Sequence, residues 1–109
     1  MILFFKLLIG HALADFVFQS DTMAKGKNRH RKTEPPPGAV YQPTWGYWLT
    51  AHALIHGGVV WVVTGSGWLG LAETLVHWLI DFGKCENWYG IHTDQSAHIA
   101  CKIIWVFLR

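Results

Sequence analysis

The sequence predicts an all-α protein: a four-helix transmembrane bundle with a long basic, proline-rich loop between helices 1 and 2. Three observations carry this prediction. Four apolar segments, three of them reaching or approaching the length of a bilayer span, are separated by polar or glycine-rich breaks. Trp45, Tyr47, Trp48, Trp68, Trp88 and Tyr89 gather at segment ends, like an interfacial aromatic belt. Each segment also carries polar residues four apart on an otherwise apolar surface. The rival for the same segments is a soluble bundle with a very aromatic core.

The 109 residues, about half of them hydrophobic and carrying a formal charge of only +2, suggest one domain over residues 1–109. Residues 1–19 read as the first helix. This stretch starts apolar without a basic leader, and Asp15 interrupts the region where cleavage would fall, so no cleavable signal peptide is expected. "SDTMAKGKNRHRKTEPPPGAVYQP" is polar, then basic, then proline-rich, and reads as a loop. Residues 45–64 form the second helix, and "GSG" at 65–67 is a tight break. Residues 68–83 form the third helix and residues 92–108 the fourth. A hydrocarbon core takes about 20 apolar residues per helix, with a range of about 17–25; the third segment is short by that measure. Cys85 and Cys101 lack metal or redox spacing and read as free thiols.

The polar residues form stripes. Helix 1 carries His11, Asp15 and Gln19, and helix 2 carries His52 and His56. Helix 3 carries Glu73, His77 and Asp81; helix 4 carries Asp94, His98 and Lys102, with Gln95 beside them. A step of four residues turns an α-helix by only about 40° from a full turn, so each stripe is narrow. Such groups are costly in hydrocarbon and face a bundle interior. Counting outward from Ser66, His56 and His77 lie at a matched depth of roughly 15 Å. Counting from Trp88 matches Asp81 with Asp94, His77 with His98, and Glu73 with Lys102, and counting back from Ser20 adds helix 1. One layer therefore holds His11, His56, His77 and His98. The adjacent layer holds Asp15, His52, Asp81 and Asp94, and a third level pairs Glu73 with Lys102.

Imidazole and carboxylate in this number suit Zn²⁺, or Mn²⁺ or Fe²⁺ where oxygen ligands dominate. Eight candidates, His11, Asp15, His52, His56, His77, Asp81, Asp94 and His98, suffice for one or two ions. Gln19, Glu73, Lys84, Gln95 and Lys102 are candidates for a supporting shell or for substrate contact. A proton or ion relay or transporter, and a purely structural or partner-binding set of interhelical hydrogen bonds, are the alternatives. Concentration in two adjacent layers favours a compact site.

Lys25, Lys27, Arg29, Arg31 and Lys32 place the first loop in the cytoplasm by the positive-inside rule. The bilayer is thus the first expected partner. An anionic lipid or phosphate-containing substrate is the second, at the basic loop and Lys84. No specific nucleic acid is expected, and oligomerisation is left open.

"HALADFVFQSDTMAKGK", "HALIHGG", "ETLVHWLIDFGK" and "DQSAHIACKIIW" together resemble the uncharacterised small membrane proteins of bacteria and phages catalogued as domain of unknown function 3307. The resemblance covers nearly the whole chain and implies a polytopic fold in a bacterial inner membrane. It implies no reaction. The H-x3-D spacing on an apolar helix is also similar to inner-membrane metal-dependent hydrolases and to the zinc-dependent phospholipase C and single-strand nuclease group, an analogy of pattern alone. The expected function is a membrane-embedded metal-dependent hydrolase with a His/Asp di-metal site, acting on a phosphoester or lipid head group.

Overall fold

The computed structural model describes residues 1–31, 37–38 and 44–109. It is all-helical, with no strand among the described residues. Helix α1 (Ile2–Ala12) runs directly into a π-helical turn over Leu13–Val17, closed by Phe18 N donating to the Leu13 carbonyl at 2.8 Å. Helix α2 spans Asp21–Gly26, α3 Trp45–Thr64, α4 Gly67–Cys85 and α5 Ile91–Leu108.

Among the described residues, five α-helices stand where four were expected, because the loop after the first segment contains α2. Its cause is local. The Ser20 hydroxyl caps the helix by accepting from Met23 N at 3.1 Å. Lys25 pairs with Asp21 at 3.0 Å, one turn back. Lys32 and most of the proline-rich stretch lie outside the described residues.

The α3–α4 hairpin turns at Gly65, which adopts φ +74° and ends α3 in the left-handed conformation that glycine accepts readily. Ser66 then caps α4 by accepting from Leu69 N at 3.3 Å. The hairpin forms the most extensive helix pairing of the bundle, and α1 packs across α3. Leu7, Val60, Leu69 and Trp105 form a small apolar core at one end.

The α3–α4 crossing depends on Gly57 and on Gly70, where a Cβ would lie 2.8 Å from the Gly57 carbonyl oxygen. A Cβ at Gly57 would lie 1.8 Å from Thr74 Oγ1 and 2.6 Å from the Gly70 carbonyl oxygen. At Gly58 it would meet nothing within 4 Å. Gly57→Ala is therefore expected to destabilise the bundle by about 1–3 kcal/mol, the usual cost of overpacking. Gly58→Ala is expected to be neutral or stabilising by up to about 1 kcal/mol. Thermal unfolding of the two variants in detergent checks the contrast; equal midpoints would remove the close crossing.

Burial is inverted relative to a water-soluble protein. Among the described residues eleven buried side chains are polar or charged and seven are apolar. Meanwhile Phe5, Phe16, Val62, Trp68 and Phe107 are each more than 60 % exposed. The stripes have a second effect. Among the described residues, no helix is long and apolar enough to cross a membrane. The expectation of four membrane-spanning helices, and with it the inner-membrane location, is thus not supported by helix length and hydropathy. The physical reason is that hydropathy averages a helix over its whole circumference. Glu73, His77, Asp81 and Lys84 lower the mean for α4, Asp94, His98 and Lys102 lower it for α5, and α1 is only eleven residues long.

Candidate metal centre

The i to i+4 spacing places each stripe along one face of its helix, and the bundle turns those faces inward. His52, His56, His77, Asp94, His98, Glu73 and Lys102 are at most 2 % exposed, and Asp81 and His11 only slightly more. The imidazoles crowd together. His77 stacks on His56 at 3.6 Å between ring centroids and on His98 at 4.2 Å. His52 sits edge-on to His56 and His77 at 4.7 and 5.0 Å.

Carboxylates bracket this stack. Asp15 Oδ1 accepts from His56 Nε2 at 2.9 Å and lies 3.3 Å from His52 Nε2. Asp15 Oδ2 accepts from Gln95 Nε2 at 2.9 Å. Asp81 lies between neighbours: its Oδ2 is 3.3 Å from His52 Nε2, and its Oδ1 is 3.7 Å from His98 Nε2. Asp94 Oδ1 is 3.4 Å from His98 Nε2. At the far level Glu73 accepts from Lys102 Nζ at 2.6 Å and from Trp105 Nε1 at 2.5 Å, and its Oε1 lies 3.4 Å from His77 Nδ1.

Eight polar atoms of the cluster are buried without a hydrogen-bond partner: His11 Nδ1, both ring nitrogens of His52, His77 and His98, and Asp94 Oδ1. Buried polar atoms are nearly always paired, and each orphan costs about 1–3 kcal/mol. Imidazole nitrogens and a carboxylate oxygen left in this way are the donor set a divalent transition metal satisfies. Asp15, His52, His56 and His77 each offer one atom within 4.8 Å of the others, and so do Asp81, Asp94 and His98. These two groups share no residue. A third group, Glu73, His77 and His98, overlaps both, and its Glu73 is already engaged by Lys102 and Trp105.

Seven of the eight sequence-predicted ligands therefore fall into the two separate groups. His11 reaches the cluster but joins neither group; its Nε2 pairs with Gln95 Oε1 at 3.0 Å, and its ring lies 5.2 Å from that of His56. Gln95 supports the cluster, since its amide also approaches Asp94 Oδ2 at 3.3 Å. Gln19 does not contact a candidate ligand's side chain; its amide donates to the Asp15 carbonyl at 3.1 Å. Lys84, at the end of α4, takes no part in the hydrogen bonds or ion pairs of the cluster among the described residues.

Sequence reasoning missed Lys27. Its place in the basic run assigned it to the loop that meets anionic lipid or a phosphate-containing substrate, not to the buried cluster. Instead α2 carries it inward, where it is 5 % exposed and its Nζ donates to Asp81 Oδ2 at 2.6 Å. The available signal was Gly26. A Cβ there would lie 2.5 Å from the Trp48 ring, so only glycine lets α2 approach α3 closely. Outside α4, Glu86 accepts from Arg29 and from His30, which fastens the loop to the bundle. Those bonds, Arg29 first, hold the Glu86 carboxyl below its usual range. This tie therefore persists at neutral pH and is lost only as the pH falls through that lowered value.

A family model described as "Protein of unknown function (DUF3307)" matches residues 3–108. No curated protein and no solved structure matches the chain. The chain belongs to the DUF3307 family.

Proposed function

We propose that this member of the DUF3307 family is a membrane-embedded, metal-dependent hydrolase with its His/Asp centre inside the helix bundle. The observation that carries the reading is the set of buried, unpartnered imidazole nitrogens lying within two disjoint ligand groups. The groups differ in a useful way. Asp15, His52, His56 and His77 supply four ligands, enough to close a tetrahedral site. Asp81, Asp94 and His98 supply three, the number that leaves a position for water or substrate. The three-imidazole group favours Zn²⁺, whereas the two-carboxylate group also suits Mn²⁺ or Fe²⁺. An ion at the open group would activate a water and polarise a carbonyl or phosphoryl oxygen. The Gln95 amide bridges Asp15 and Asp94.

The membrane reading rests on the inverted burial, not on helix hydropathy. Apolar side chains on the outside of a bundle whose inside is polar suit hydrocarbon as the surrounding medium. Helix α3, with 20 residues, is about 30 Å long, close to the thickness of a bilayer core. Within that reading the basic loop faces the cytoplasm of a bacterial inner membrane. One observation favours a relay instead. Even the most open candidate ligand, Asp15, has a side chain only 10 % exposed, so access depends on movement of a covering element.

The chain is expected to leave membranes only with detergent, to carry between about one and two zinc ions, and to hydrolyse a chromogenic phosphate ester until chelator is added. Bound metal without hydrolysis, with ion movement across reconstituted vesicles, would transfer the centre to the relay reading. No bound metal would overturn the hydrolase reading and leave a proton relay or a structural set of interhelical hydrogen bonds.

A further inference from the structure

Four carboxylates belong to the cluster, those of Asp15, Glu73, Asp81 and Asp94, and two ammonium groups reach it, Lys27 and Lys102. With the imidazoles in the neutral form that binds metal, the formal balance is two negative charges. One divalent ion cancels that balance. A second leaves two positive charges among side chains that are almost wholly buried. Uncompensated charge is not sustained away from water. The second ion therefore has to arrive with an anion.

The two lysines are not equivalent partners for that anion. Lys102 is held at 2.6 Å by Glu73, which Trp105 also fixes from the far side. Lys27 bonds only Asp81 among the described residues, and Asp81 belongs to the three-ligand group. An ion taking Asp81 would repel the Lys27 ammonium and weaken that carboxylate's hold on it. That ammonium would then stand beside the open coordination position without a counter-charge. Arg29 does not compete for this role, because Glu86 engages its guanidinium.

We infer that the doubly loaded centre takes a dianionic phosphate group, as in a phosphate monoester, and that Lys27 is its direct contact in the chain. This rests on the metal reading above and names the substrate class within it. A dianion cancels the two residual positive charges, whereas the neutral carbonyl of an ester or amide leaves them in place.

The test is equilibrium dialysis of the detergent-purified full chain against Zn²⁺, with and without phenylphosphonate, a dianionic phosphate analogue that resists hydrolysis. The first ion is expected to bind alike in both conditions. Binding of the second is expected to tighten about tenfold with phenylphosphonate, within the usual range of coupling between sites. Benzenesulfonate, with a single negative charge, is expected to tighten it less. In Lys27→Met the second ion is expected to bind more tightly without anion, because its tethered competitor is gone, and the effect of phenylphosphonate should shrink. Lys27→Arg is expected to keep that effect. A second ion whose affinity is indifferent to phenylphosphonate in the wild-type chain overturns the inference and leaves the metal reading standing, whatever Lys27→Met does. Absence of bound zinc in both conditions removes the metal reading itself.

Discussion

Replacing His77 with alanine is expected to lower zinc affinity more than about 100-fold, beyond the 10–100-fold typical of losing a supporting contact. His77 is fully buried, stacks between His56 and His98, and belongs to two of the three possible ligand groups. Its loss reduces the four-ligand group to three and opens a gap in the middle of the ring stack. The metal count per chain after dialysis measures the effect, and helicity by circular dichroism shows whether the bundle survives. His30→Ala is the matching control, because that side chain is 57 % exposed and among the described residues pairs only with Glu86 at the loop. A His77→Ala chain that keeps wild-type zinc would remove this residue from the centre.

The second large effect concerns stability. Lys102 and Glu73 are both 1 % exposed and form an ion pair at 2.6 Å. Lys102→Met leaves a buried carboxylate without its counter-charge and is expected to cost about 3–5 kcal/mol. Adding Glu73→Gln removes the orphaned charge while keeping an acceptor for Trp105 Nε1. The double variant is therefore expected to regain most of the loss. Denaturant unfolding of the two single variants and the double variant gives the coupling directly. Additive losses would mean that the two charges act independently.

The shared faces of the centre were legible in the sequence because spacing of four is a geometric instruction. Once His52 and His56 lie on one face of a helix, matched counts from a tight turn fix which residues on the next helix stand level with them. Glu73 and Lys102 were paired on that count alone. The parts that were not legible depend on tertiary context. Helix α2 has six residues, too few to persist alone, so no periodicity announces it, and Lys27 at its end looked like its basic neighbours. Lys84, offered for a supporting shell or substrate contact, takes no part in the cluster's hydrogen bonds or ion pairs among the described residues, because a cation near an acidic stripe does not thereby point into it. His11 keeps its spacing from Asp15 and comes within 3.4 Å of it, yet its hydrogen bond goes to Gln95 and it joins neither ligand group. The π-helical turn that begins at Leu13 alters the winding of this segment, and nothing in its composition marks the extra residue in that turn.

If the bundle resides in a bilayer, the fact that no helix among the described residues is long and apolar enough to cross alone bears on how the chain gets there. A segment delivered singly would carry its His and Asp stripe into hydrocarbon, at about 2.5–3.5 kcal/mol for a central Asp. The α3–α4 hairpin is the smallest piece that brings facing stripes together, since His52 and Asp81 already meet across it. Its short turn at Gly65 and Ser66 makes it a natural unit of delivery. Biogenesis would then proceed by helix pairs, with α1 and α5 joining a partner that already offers them a polar face.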